Sequence, residues 1–154
     1  LGDVYKRQIY IGSNAGCEGL AASRNVFLGF YAGAKITGGS NNVALGFVAG
    51  CSICTGPANV MMGFGAGRVV TTGGCNVFIG KYAGRYSSTG SNNIAIGKNA
   101  LKDHNSGNGN VAIGHEAAYY CDGHSDCVAI GAYALAKPSS GSNSIQSLRF
   151  DFGI

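Results

Sequence analysis

The chain repeats itself every 17 residues, and that period constrains its fold more than any other feature. Eight units begin at Gln8, Asn25, Asn42, Asn59, Asn76, Asn93, Asn110 and Cys127, with no insertion between them. Numbering the columns of the unit 1 to 17, column 1 is Asn in six units. Column 2 is always Val or Ile, and column 4 is always Leu, Ile or Met. Column 5 is Gly and column 8 is Ala in all eight, and column 15 is Gly in six. A helical reading fails, because Gly, Ser, Thr and Asn recur inside every unit and would interrupt each turn. Short units that cannot bury a face alone stack on their neighbours.

Each column has a physical meaning. Columns 2 and 4 alternate around column 3 and so share one face of a short strand, where β-branched side chains suit a pleated buried surface. The expectation is that they point inside. Gly at column 5 marks a bend, and Ala at column 8 fits a thin interior. Columns 13 to 17, as in Thr89-Gly90-Ser91-Asn92, are rich in turn-forming residues. One unit is thus one coil of two short strands and two bends. At a strand spacing of about 4.8 Å, eight coils make a rod of roughly 38 Å. The Asn residues of column 1 are placed to stack as an amide ladder. The predicted fold is all-β, a parallel β-solenoid of eight 17-residue coils over residues 8–143.

Column 3 reads Tyr10, Phe27, Ala44, Met61, Phe78, Ala95, Ala112 and Ala129, apolar in every copy. A strand apolar on both faces is buried on both faces. With columns 2 and 4 assigned to the interior, column 3 is expected to form the contact with other chains, the alternative being that it packs against the chain's own loops.

Units such as Asn25-Val26-Phe27-Leu28-Gly29-Phe30-Tyr31-Ala32-Gly33 and Asn93-Ile94-Ala95-Ile96-Gly97-Lys98-Asn99-Ala100 resemble phage tail-fibre repeats. They are also similar to the head repeats of trimeric autotransporter adhesins. The resemblance covers Gln8 to Asn143. It implies a left-handed β-roll, three chains around an axis, and a virion tail-fibre or extracellular, cell-surface setting. The adhesin repeat is usually shorter than this one, which favours the tail-fibre side. Outside the repeat, Asp3-Val4-Tyr5-Lys6-Arg7-Gln8 resembles the translation of a transposase adapter used in sequencing libraries. Residues 1–8 are therefore read as an adapter remnant or a native tail. Residues 144–154 lack the column-5 Gly and read as a cap, a linker or a truncated end.

Composition narrows the function. The formal charge of +4 comes without a dense Lys/Arg cluster, so nucleic acid is not an expected partner. No run of about 18 apolar residues exists, so insertion into a membrane is not expected either. Asp122, Asp126 and His124 sit in a turn, and His104, His115 and His124 fall in different columns, so neither a catalytic group nor a metal site is expected. Phosphate-loop and calcium-repeat motifs are absent, and no cofactor is expected. The cysteines form no ladder, and Cys51-x-x-Cys54 stands without a second pair. The repeat of Ile/Val-x-Leu/Ile-Gly once per 17 residues does not fit hexapeptide acyltransferases. The Thr row Thr55, Thr72 and Thr89 is short for an ice-binding face.

One surface stands out. Column 6 reads Ser13, Phe30, Phe47, Phe64, Lys81, Lys98, His115 and Ala132, and column 10 adds Arg68, Arg85 and Lys102. Lys and His in column 6 indicate that it faces water, so its three Phe rings are expected to be exposed. Stacked like charges repel, so this arrangement either serves ligand binding, with rings for sugars and cations for anionic groups, or has the rings packed between neighbouring chains and the cations solvated. The reading is a non-enzymatic fibre or adhesin segment presenting a receptor- or glycan-binding face. The alternatives are a polysaccharide-degrading tailspike, marked by a close carboxylate pair in a groove, and a stand-alone solenoid such as an ice binder.

Overall fold

The computed structural model describes residues 7–18 and 21–137. The readings of residues 1–6 and 144–154, and residues 19–20 and 138–143 of the solenoid reading, lie outside them. Eight three-residue strands occupy columns 2 to 4 of the eight coils: β1 (Ile9–Ile11), β2 (Val26–Leu28), β3 (Val43–Leu45), β4 (Val60–Met62), β5 (Val77–Ile79), β6 (Ile94–Ile96), β7 (Val111–Ile113) and β8 (Val128–Ile130). They pair in chain order into one parallel sheet. The register is the repeat itself, so Val43 pairs with Val60 and Val60 with Val77. The fold is the predicted all-β parallel solenoid.

Among the described residues only one regular strand forms per coil. The second segment is held between coils by backbone bonds such as Gly33 N–H to Ala49 carbonyl, 3.0 Å, and Lys35 N–H to Cys51 carbonyl, 2.9 Å. It does not extend, because columns 7 and 9 are left-handed in every coil, as at Tyr82 (φ 59°) and Gly84 (φ 56°). Column 17 is left-handed too, as at Asn41 (φ 63°) and Asn92 (φ 59°). Column 5 requires glycine for a further reason. Gly63 has φ 131°, and a Cβ there would stand 2.7 Å from the Gly80 carbonyl oxygen of the next coil.

The structure reverses the expected inside and outside of the strands. Phe27, Ala44, Met61, Phe78, Ala95, Ala112 and Ala129 of column 3 are all at 0% exposure, and Tyr10 of the first coil is half-buried. They fill the coil and cannot be the contact between chains. Columns 2 and 4 face outward. Their residues are half-buried or exposed, with Ile11 at 59% and Ile96 at 37%. Two facts fix this choice. Column 3 shares its side of the strand with column 1, whose Asn residues are buried. Column 3 also trades volume with column 9. A Cβ on Gly33 would strike the Phe27 ring, one on Gly67 the Met61 side chain, and one on Gly84 the Phe78 ring. Where column 3 shrinks to Ala95, Ala112 and Ala129, column 9 becomes Leu101, Ala118 and Leu135, all buried. Ala44 is the exception, lying in the coil of Gly50, where Ile53 and the Met61 side chain of the next coil take up the space; elsewhere the two columns fill the interior together. Column 8 Ala and the buried column-12 side chains Ile36, Ile53, Val70, Ser87, His104 and Cys121 complete it.

The amide ladder forms from Asn25 to Asn110. The Oδ1 of each Asn accepts the backbone N–H of the column-1 residue one coil on, at 2.8 Å for Asn42 to Asn25, 2.9 Å for Asn93 to Asn76 and 3.0 Å for Cys127 to Asn110. Each Nδ2 donates to the carbonyl at column 15, as Asn59 to Gly73 (2.9 Å) and Asn76 to Gly90 (2.8 Å). The side chain therefore ties the strand entry to the turn that precedes the next coil. It also satisfies buried backbone groups that the strand ladder does not reach.

Substitution of Asn59 by Ala removes the acceptor for Asn76 N–H and Nδ2 and the donor to Gly73. At about 1–3 kcal/mol per buried polar group left without a partner, the expected cost is about 3 kcal/mol or more. It is read as a lower urea midpoint of the far-ultraviolet β signal. A midpoint equal to that of the parent protein would remove the ladder from its structural role.

Candidate functional site

The flank formed by columns 6 to 13 carries the aromatic and charged side chains. Column 6 follows the tight Gly bend, so its side chains are thrown outward. Phe30, Phe47 and Phe64 are exposed, Phe47 by 46%, and stand over one another as expected. Phe30 stacks on Phe47 at 5.2 Å between centroids, and Phe47 on Phe64 at 5.1 Å, within 12° of parallel. This spacing is the coil repeat. Its consequence was not legible in the sequence: the ring faces are spent on one another. Tyr31 packs on Phe30 at 4.5 Å, and Tyr82 meets Phe64 edge-on at 5.2 Å. What the stack shows to solvent is ring edges, which carry partial positive charge.

The expected cations lie along the same flank but are not equivalent. Lys81 sits 5.7 Å from the Phe64 centroid and 5.5 Å from that of Tyr82. The Arg85 guanidinium lies between Tyr82 and Tyr86, 4.5 and 4.8 Å from their centroids. Lys102 bonds the Tyr119 hydroxyl and lies 4.7 Å from its ring centroid. That hydrogen bond, more than any other influence, pushes the Lys102 ammonium pKa above its ordinary value. Cation–π contacts of this kind, worth about 0.5–1 kcal/mol where exposed, offset the repulsion expected along column 10. Arg68 and Lys98 are exposed. Together the ring edges and the cations make an electropositive strip along the rod.

A second feature was missed in the sequence. Read down the coils, column 11 gives Tyr86, Asp103 and Tyr120 in succession, and that column is the signal that would have found it. Backbone bonds from Tyr86 N–H to Lys102 carbonyl and from Asp103 N–H to Tyr119 carbonyl hold these residues in line. With His104, Asn105 and Asp122 they line a groove of about 250 Å³. His104 forms a buried base, its Nδ1 2.6 Å from the Cys121 carbonyl and its Nε2 3.0 Å from the Gly107 carbonyl. Asp122 Oδ1 accepts the Asn105 N–H at 2.8 Å. A larger groove of about 440 Å³ adjoins it, lined by Glu116, Tyr119, Tyr120, Tyr133, Ala136 and Lys137. Asp103 and Asp122 are thus two carboxylates on one groove. A glycosidase holds one of its pair protonated in an apolar setting, whereas Asp122 is exposed and Asp103 is only half-buried.

Among the described residues no three His, Cys, Asp or Glu side chains converge to hold a metal ion. No helix of the described residues is long and apolar enough to cross a membrane. No protein-family model, curated protein or solved structure matches the chain.

All six cysteines are free thiols. Cys121 is buried, and burial first, then the neighbouring Cys127, pushes its pKa up to about 12. The thiolate is the nucleophile, so Cys121 is expected to stay unmodified by iodoacetamide at pH 8 while exposed Cys17 and Cys75 react. All six should react in concentrated urea. Peptide mapping by mass spectrometry reads this directly, and labelling of Cys121 as fast as Cys75 in the native protein would contradict the packing described.

Proposed function

We propose that this chain is a non-enzymatic rod segment of a fibre or adhesin, of the tail-fibre or adhesin-head kind. In this reading it self-associates, as a trimer, through the outward sheet face and presents the electropositive flank to a surface polysaccharide. The observation that carries the reading is the outward face of the sheet. All sixteen residues of columns 2 and 4 are Val, Ile, Leu or Met, and none of them is buried. Eight strands at about 4.8 Å and three residues at about 3.3 Å make a strip on the order of 400 Å². Contiguous apolar patches of that size on soluble proteins mark contact sites. The argument that a strand apolar on both sides needs a partner stands, with the opposite side as the contact. A virion or cell-surface setting belongs to the same proposal.

The flank supplies the attachment chemistry. Since the Phe ring faces are closed by their own stacking, sugars are not expected to stack on them. Positive ring edges and the cations Lys81, Lys98, Arg68, Arg85 and Lys102 suit carboxylate or phosphate groups of an anionic polysaccharide lying along the rod.

Two outcomes test these halves separately. The parent protein should show by light scattering about three times the 15.6 kDa chain mass. Ile96→Glu with Ile113→Lys places opposite charges side by side on adjacent strands, which the sheet tolerates. That variant should fall to monomer with its β signal intact, whereas Ala112→Lys should unfold. A monomeric parent protein overturns the assembly. Phe47→Ala with Arg85→Ala should abolish salt-sensitive binding to an anionic bacterial polysaccharide and leave oligomer mass and β signal unaltered. Undiminished binding removes the flank as the attachment surface.

A further inference from the structure

Along column 6 the rings follow one another in successive coils and the stack is closed. Column 11 carries a ring in two alternate coils, with an aspartate in the coil between. Tyr86 and Tyr120 stand two coils apart, about 9.6 Å, and the short side chain of Asp103 lies between them. All three line one groove. Where Phe30, Phe47 and Phe64 leave no gap at 5.1 and 5.2 Å, the two tyrosines leave a slot one coil wide.

The walls of that slot carry a distinct electrostatic signature. Asp103 and Asp122 supply two carboxylates, and the remaining polar groups come from Asn105 and His104, whose Nδ1 faces the Cys121 carbonyl and whose Nε2 lies 3.0 Å from the Gly107 carbonyl and 3.1 Å from Asn110 Nδ2, a donor that suits the neutral ring. None of the six lining residues is Lys or Arg. The surrounding flank shows what its tyrosine rings accept. Arg85 lies over Tyr82 and Tyr86, and Lys102 over Tyr119. Tyr86 already carries Arg85 against its ring, and Tyr120 packs on Tyr119 at 4.4 Å between centroids, but the groove between Tyr86 and Tyr120 is lined by two carboxylates and holds no cation of the chain. A cation midway between the tyrosines would stand about 4.8 Å from each, inside the roughly 6 Å reach of a cation–π contact.

We infer that the slot between Tyr86 and Tyr120 binds an organic cation, of the quaternary ammonium class, held between the two rings with Asp103 and Asp122 as counter-charges. The bulk of the methyl groups fills the space between the rings, and the positive charge is shared by two π-faces and two carboxylates. An anionic ligand is repelled here, which separates this slot from the electropositive strip on columns 6 and 10. The inference does not rest on the proposed assembly or polysaccharide binding, and its readout is independent of both.

The probe is choline, titrated into the full chain and followed by the ring proton resonances of the tyrosines. Saturable shifts confined to Tyr86 and Tyr120 are expected. The uncharged isostere 3,3-dimethylbutan-1-ol has the same shape without the charge and should bind about fivefold or more weakly. Tyr120 is 52% exposed, so Tyr120→Ala should keep its β signal and lose choline binding by about fivefold or more, and Tyr120→Phe should retain it. Asp103→Asn should weaken choline and leave the isostere unchanged. Equal binding of choline and isostere, undiminished binding by Tyr120→Ala, or no saturable shift at these rings would each overturn the assignment.

Discussion

The buried Asn ladder is the interaction on which the rest of this rod depends. A strand of three residues has few hydrogen bonds of its own, and the chain must turn several times within 17 residues to return to its starting edge. Asn at column 1 serves both needs. Its Oδ1 accepts the backbone N–H of the next Asn, and its Nδ2 reaches the carbonyl of the column-15 turn. Both ends of the coil closure are thus fixed to one side chain. Because these amides are buried, losing one leaves several polar groups without partners in a setting where that is costly.

From that ladder the inside of the coil follows. An inward column 1 makes column 3 inward, since side chains two apart on a strand share a face. The interior is narrow, so each large residue at column 3 has a glycine opposite at column 9, and each later alanine has a larger partner there. The left-handed residues at columns 7, 9 and 17 are the backbone's part in this closure. Val48, β-branched and at φ 49°, shows how firmly the stacked neighbours determine the conformation, for such a residue avoids that region on its own.

The exterior then divides into faces of different chemistry. The sheet presents rows of aliphatic side chains with no polar atoms, suited to another apolar surface. The flank presents rings and charges whose relations are set by the coil spacing. Stacking a ring in every coil closes the faces, and omitting one opens a slot. One helical rise of the rod, about 4.8 Å, thus separates a closed aromatic column from an open aromatic groove. Side-chain identity at a single column decides which is present.

Period, strand position, parallel in-register pairing, the bends at column 5 and the amide ladder were all legible in the sequence. Each follows from local chemistry repeated at a fixed interval, and a fixed interval in stacked coils is spatial adjacency. The exposure of Phe30, Phe47 and Phe64 was legible in the same way, from the Lys and His that share their column. The sequence by itself also determined that both sides of the strands are apolar, but apolar pattern alone does not say which side is the interior. Only the tertiary structure decided that. The choice rests on the burial of the column-1 amides, which share a face with column 3, and on the fit between columns 3 and 9, two segments that meet only after the coil has closed. The facing of ring on ring, the capture of Arg85 by two tyrosines and the groove between Tyr86 and Tyr120 were likewise decided there. They depend on the distance and direction between side chains of different coils, which no single unit of the repeat contains.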